Sequence, residues 1–303
     1  MKKVLITGAL GQNGRILSII YKTKNYKVFG FVKKLKKKKI KKVHYLINNL
    51  ENKKKIQKQL KQINPDIIIH LASVNNSYKK RLTKSNYKID YLYNYNITKN
   101  LINIILKLKL NVKFIFAGSA LMFGNTKKKV VTEKDKLLSK DYYGKYKIDA
   151  HNFIQKKSKN KFQSSTAILF NHDSYYRSNQ FLLPRIINSF KQKKISFIES
   201  IYHENISGDF SHAQDICDGL YKLSKYKKNI NKIILSSGKR FYLNLIINYL
   251  EKKFKYKLNK KEFNKKNYNH KLIGSNKLAK KLLNYKTKKN ILNACNEILK
   301  REI

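Results

Sequence analysis

The chain has 303 residues, enough for one large domain or two closely packed ones, and its 69 Lys and Arg against 17 Asp and Glu give a formal net charge of +52. Only six of the basic residues are Arg, and the Lys are spread along the whole length with abundant Asn, Ile and Tyr. That is the composition of A- and T-rich codons rather than a phosphate-reading patch, so no nucleic-acid partner is expected.

In chain order, "KVLIT" (3–7) is a β-branched run of the buried-strand kind. Behind Met-Lys-Lys it mimics a secretion signal, but glycine interrupts the apolar stretch and no cleavage site follows. Further strand-like runs lie at 26–32, 66–72 and 112–118, separated by helix-like periodicity near 13–24, 51–63 and 87–108. This alternation predicts an α/β protein of the Rossmann type, a doubly wound parallel sheet with helices on both faces. "KKLKKKKIKK" (33–42) reads as a solvated loop, and "STAILFN" (165–171) and "KIILSSG" (232–238) extend the sheet. Helical patterns near 180–191, 213–225, 243–254 and 289–300 dominate the rest. Residues 1–170 are therefore read as the dinucleotide-binding domain, with 232–238 returning to its sheet. Residues 171–303 are read as a smaller, mostly helical C-terminal portion that binds substrate. Cys217 and Cys295 stand far apart without ligand-like spacing, and no apolar run reaches the roughly eighteen residues of a membrane helix. A reducing cytoplasm is expected, with no metal and no membrane partner.

Between the first strand and the first helix the chain places Gly8, Gly11 and Gly14, three of its 11 glycines. Such a turn exposes backbone N–H groups at a helix N-terminus, where an anion is favoured. Gly8 permits the turn, Gly11 lets the backbone approach a pyrophosphate, and Gly14 lets the helix pack on the strand. After the second strand the sequence offers Lys33 and Lys34 and no acid. A ribose 2′-hydroxyl is usually met there by a carboxylate and a 2′-phosphate by a base, which favours NADP over NAD.

Tyr143 and Lys147 stand one helical turn apart on one face, and a neighbouring ammonium is what lets a phenol act as a base near neutral pH. Tyr95, Tyr221, Tyr249, Tyr256 and Tyr285 also have Lys four residues on. What distinguishes Tyr143 is Ser119, 24 residues earlier at the end of a predicted strand, where a hydroxyl opens onto the cofactor cleft.

"TGALGQNG", "HLAS", "FIFAGSALMFG", "YGKYK" and "ILFNHDS" together resemble the extended short-chain dehydrogenase/reductase family that modifies nucleotide sugars, the NAD-dependent epimerase/dehydratase group. "FGFVKK", "ILFNHDSYYR" and "GDFSHAQD" look most like its GDP-mannose 4,6-dehydratase branch. The resemblance implies that Gly8, Gly11 and Gly14 hold the pyrophosphate with Gln12 and Asn13 in the same loop. It places Asn49 and Leu50 beside the adenine, with Asn49 standing for the usual Asp, and Leu71 and Ala72 along the cofactor strand. Ser119, Tyr143 and Lys147 match the catalytic triad. Asn171 matches an asparagine near the sugar-nucleotide diphosphate, with Arg177 and Arg185 in the same basic region. It also implies a nucleotide-sugar substrate, a GDP-hexose foremost, hydride transfer at carbon 4, and a homodimer or homotetramer.

Two positions depart from the pattern. Dehydratases carry a Glu where this chain has Leu121, and leucine cannot remove the carbon-5 proton. Gly208 replaces the usual Arg, while His212 is retained. Around Ser119 the sequence is closer to 4-epimerases and 4-keto reductases, which keep Ser, Tyr and Lys without the Glu. A dehydratase-like enzyme, a reductase or epimerase, and a silent NADP-sensing protein are the readings in that order.

Overall fold

A central sheet of seven parallel strands organises the protein: β1 (Lys3–Thr7), β2 (Lys27–Val32), β3 (His44–Ile47), β4 (Ile67–His70), β5 (Lys113–Ser119), β6 (Gln163–Leu169) and β7 (Lys232–Leu235). Their spatial order is β3-β2-β1-β4-β5-β6-β7. The order reverses between β1 and β4, and in such sheets ligands bind beyond the strand ends at that switch point. The computed structural model describes residues 1–35, 39–75, 83–124, 126–259 and 269–301. The middle of the Lys-rich 33–42 segment lies outside the described residues; its described lysines are exposed.

Strand side chains alternate between the two faces with period two. Val4 and Ile6 of β1 join Ile115 and Ala117 of β5 in a cluster with α1 (Gln12–Thr23) and α7 (Ala213–Lys225). Leu5, Phe114 and Phe116 point the other way, onto α2 (Lys53–Ile63), α3 (Lys84–Lys107) and α4 (Tyr142–Ser158). Side-chain acceptors start the helices of this second face: Asn52 receives the Lys55 N–H at 2.9 Å and Asp141 that of Gly144 at 2.8 Å.

A separate apolar cluster gathers α5 (Leu182–Lys191), α6 (Ile195–His203), α8 (Leu243–Phe254) and α10 (Ile291–Leu299). The two cores interleave along the chain, because α7, β7 and α9 (Lys277–Leu283) lie beyond residue 170 yet pack on the sheet side. Buried carboxylates tie the connections down. Asp209, fully buried, accepts from the Ser237 N–H at 2.8 Å, the Ser237 hydroxyl at 2.6 Å and the Gly238 N–H at 3.0 Å. Asp215 accepts from the backbones of Lys288 and Lys289 at 2.8 and 2.9 Å. Among the described residues no helix is long and apolar enough to cross a membrane.

Candidate active site

The β1–α1 turn is shaped by what its glycines leave out. Gly8 sits at φ +69°, the left-handed region, and a Cβ there would stand 3.2 Å from the Ala72 backbone. A Cβ on Gly14 would lie 2.5 Å from the Gly8 carbonyl oxygen and 2.6 Å from Ala9 Cα, so only glycine lets the helix sit this close to the turn. Gly11 is the N-cap of α1 and contributes no side-chain hydrogen bond to the first-turn N–H groups. A pyrophosphate fits this cradle: backbone donors, the positive end of the helix dipole, and no side chain in the way.

Around the turn, the segment after β4 is held by Thr7, whose hydroxyl oxygen accepts from the N–H groups of Leu71 and Ala72 at 3.1 Å each. Lys33 and Lys34 follow β2 and are exposed, the Lys33 ammonium lying 4.9 Å from the centre of the Tyr93 ring. The Asn49 carboxamide oxygen accepts from the N–H groups of Glu51 and Asn52 at 3.1 and 3.2 Å, and its backbone carbonyl accepts from the Tyr93 hydroxyl at 3.3 Å. Tyr93 thus brings Lys33 and Asn49 together. Leu50 is 4% exposed and packs in the core below them. Gln12 and Asn13 reach across the cleft: Gln12 donates to the His172 carbonyl at 3.1 Å and accepts from the Ser174 hydroxyl at 3.1 Å. Asn13 meets His172 Nε2 at 2.9 Å. His172 Nδ1 faces the Phe170 carbonyl at 2.6 Å and so carries the proton, leaving Nε2 to accept. Burial, helped by Arg177, keeps this ring neutral, its pKa brought down to about 4.

Ser119 ends β5, and its hydroxyl accepts from the Leu121 N–H at 3.2 Å, capping a short 3-10 turn, Ala120–Phe123. The first turn of α4 lies directly on that turn, since a Cβ on Gly144 would stand 2.6 Å from the Leu121 carbonyl oxygen. Tyr143 is thereby delivered beside the Ser119 turn. Lys147, 2% exposed, donates to the Ala117 carbonyl at 2.6 Å, two residues before Ser119. Its ammonium sits among the rings of Phe116, Tyr146 and Tyr143, at 4.7, 4.8 and 5.4 Å from their centres. Burial brings its pKa down to about 7. Burial pushes the Tyr143 phenol up, opposed by a hydrogen bond with Ser73 and by the charge of Arg177.

On the substrate side, Asn171 is exposed and opens a short strand, Asn171–Asp173, paired with Phe210–His212. Arg177 pairs with Asp173 at 2.7 Å and stacks over Phe181 at 3.5 Å, close enough for its charge to act on Tyr143. Arg185 lies elsewhere, stacked 4.6 Å from the centre of Phe197 in the helical cluster. The room at Gly208 is filled by Lys271, whose Cβ would stand 2.9 Å from one added there. Leu121 is 44% exposed beside the Ser119 turn. His212 contacts Glu297 at 3.1 Å, and burial keeps the ring's pKa below the usual histidine value.

Ser73, Tyr93, Gly144 and Arg301 also take part in this neighbourhood. Arg301 donates to the backbone carbonyls of Arg177 and Ser174 at 2.6 and 2.9 Å and so clamps the loop that carries Arg177. Only Gly144 carries a local signal, a glycine one residue after the tyrosine in a glycine-poor chain. The other three act through tertiary contacts.

Residues 5–298 match the family model described as GDP-mannose 4,6 dehydratase. Curated relatives include a UDP-glucose 4-epimerase of Mycoplasma pneumoniae, 24% identical over 58% of this chain and 55% of its own length. A GDP-mannose 4,6-dehydratase of Sordaria araneosa is 26% identical over 78% of this chain and 45% of its own. The chain thus spans about half the length of these two relatives. Among solved structures, the UDP-Glc/GlcNAc 4-epimerase of Campylobacter jejuni superposes with a TM-score of 0.82 at 18% identity, covering 99% of this chain and 98% of that one. With the glycine cradle and the Ser119–Tyr143–Lys147 neighbourhood on one sheet end, the match across nearly the whole chain settles the family: the protein belongs to the GDP-mannose 4,6 dehydratase family of extended short-chain dehydrogenases/reductases.

Proposed function

We propose that the protein binds NADP and a nucleotide-activated hexose and exchanges hydride at carbon 4 of the sugar, as a 4-epimerase or 4-keto reductase. The bound dinucleotide would supply the hydride acceptor or donor; the protein would place the sugar and move its proton. Tyr143 would take the proton of the carbon-4 hydroxyl as the sugar is oxidised and return it on reduction. Lys147, held among three rings, would stabilise the phenolate, and Ser119 would donate a hydrogen bond to the reacting oxygen. Asn171 and Arg177 would face the diphosphate; Arg185, stacked on Phe197, would lie farther out.

The observation that carries the choice of reaction is Leu121, an exposed leucine where elimination of water needs a carboxylate. The acids that described interactions link to Tyr143, Asp141 directly and Asp173 through Arg177, are already engaged. Both Asp141 oxygens are engaged, by the Gly144 N–H at 2.8 Å and the Ser139 hydroxyl at 2.6 Å, and Asp173 is held by Arg177. Dehydration is the second reading, favoured by the family match over residues 5–298. Incubation with GDP-mannose, UDP-glucose and a 4-keto-6-deoxy sugar nucleotide plus NADPH decides between them. An epimerised hexose or oxidation of NADPH is expected; loss of one water from GDP-mannose would overturn the choice. A GDP-hexose follows the family match, whereas the Mycoplasma relative and the Campylobacter structure bear the names of UDP-sugar epimerases.

The preference for NADP rests on Lys33 and Lys34, and solved relatives such as the UDP-glucuronic acid 4-epimerase of Bacillus cereus were captured with NAD. Exchanging both lysines for Asp and Ser is expected to weaken NADP binding about tenfold or more, some 1.4 kcal/mol, without weakening NAD binding. Fluorescence titration with both dinucleotides checks this; equal losses for the two would count against the assignment. A homodimer or homotetramer is also inferred, α3 presenting exposed Ile89 and Leu92.

A further inference from the structure

The segment that follows β4 carries a hydroxyl that the reading of the site leaves unused. Ser73 lies between two backbone anchors. On one side Thr7 accepts the N–H groups of Leu71 and Ala72. On the other, Asn94 of α3, 1% exposed, accepts the Val74 N–H at 2.7 Å and donates to the Val74 carbonyl at 2.8 Å. Pinned before and after, the peptide has little freedom at Ser73, and this fixed position sets the serine Oγ 3.4 Å from the Tyr143 phenol oxygen.

A residue that gives and takes a proton needs a neighbour that suits both of its states. A serine hydroxyl does so by rotation: it accepts from the phenol and donates to the phenolate. Lys147 contributes charge from beneath the ring and donates to the Ala117 carbonyl, while Ser119 already accepts the Leu121 N–H. Among the described hydrogen bonds, the one made by the Tyr143 hydroxyl is with Ser73.

We propose that Ser73 is a positioning residue for Tyr143: its hydroxyl holds the phenol in place and donates to the phenolate left when the proton passes to the carbon-4 oxygen of the sugar. The proposal rests on the assignment of Tyr143 as acid and base in the preceding section. The direction of the Ser73 effect on the phenol, opposing the rise that burial causes, agrees with this geometry.

The test separates the two assignments. Tyr143 is replaced site-specifically by 3,5-difluorotyrosine, whose fluorines bring the phenol ionisation into the neutral range, and ¹⁹F NMR follows its titration without substrate. In the Ser73→Ala protein the phenol is expected to titrate about one pH unit higher, and Ser73→Thr is expected to restore the original value. In otherwise unmodified enzyme, Ser73→Ala should lower kcat about tenfold at neutral pH and leave KM for the sugar nucleotide in place. A ¹⁹F titration identical in the serine and alanine proteins overturns the role of Ser73. Absence of turnover on every nucleotide hexose, with the titration shift intact, would instead overturn the assigned reaction and leave the Ser73–Tyr143 coupling standing.

Discussion

Replacing Lys147 with Met is expected to lower turnover by about 10³-fold or more while leaving the protein at least as stable at pH 7. The two effects have one cause. The ammonium lies 2% exposed among three aromatic rings, and its hydrogen bond to the Ala117 carbonyl and ring contacts offset only part of the cost of burying the charge. Its pKa falls from 10.5 to about 7 for that reason. A depressed lysine pKa fixes the sign of the pH dependence. Below about pH 7 folded and unfolded chains both hold the proton and the burial cost is fully present. Between about 7 and 10.5 the folded chain has released a proton that the unfolded chain keeps, so stability rises with pH across that window. Met fills a similar volume without charge and should flatten this slope. Thermal denaturation of both proteins from pH 6 to 10, beside kcat, checks the pair of effects. A Lys147→Met protein that loses activity only because it unfolds would contradict the account.

Gly14→Ala is expected to abolish dinucleotide binding, with a loss of at least about 100-fold, or 2.7 kcal/mol, and to destabilise the fold by about 3 kcal/mol. The added carbon would stand 2.5 to 2.7 Å from the Gly8 carbonyl and from Ala9, all backbone atoms. No rotamer relieves such a clash. The helix must withdraw from the turn, carrying away the first-turn N–H groups that face the phosphates. Calorimetric titration with NADP and NAD and a melting curve measure both losses. Binding of either dinucleotide at native affinity would refute the placement of the pyrophosphate.

The sheet was legible because its strands are buried on both faces, and double burial writes itself as β-branched runs such as "KVLIT" and "DIIIHLA". β3 escaped. It is one of the two edge strands and, unlike β7 at the other edge, has all four residues exposed or half-buried, and "HYLI" follows a Lys-rich segment with no apolar rhythm. α6 and α9, of nine and seven residues, are too short for a periodic pattern to stand out from a Lys- and Asn-rich background. At the candidate site, the residues found by spacing alone lie on regular elements, Ser119 at a strand end and Tyr143 with Lys147 one turn apart. Ser73, Tyr93 and Arg301 could not be found that way, because each contacts a partner 70, 44 or at least 122 positions away in the chain. Arg177 and Arg185 looked equivalent in sequence, yet an ion pair in one loop and a ring stack on one helix send them to different places.

The burial of Asp209 and Asp215 has an outcome for the molecule in solution. Asp209 and Asp215 are buried and accept backbone N–H groups, so two of the 17 acidic side chains are spent inside the fold and not on the lysine-covered surface. The lysines outside then see mainly one another, through water. In dilute buffer that mutual repulsion keeps molecules apart and strains each folded chain, and at about 0.1 M salt a screening length of roughly 10 Å relaxes both. Ionic strength, more than pH near neutrality, sets how comfortably this surface is worn.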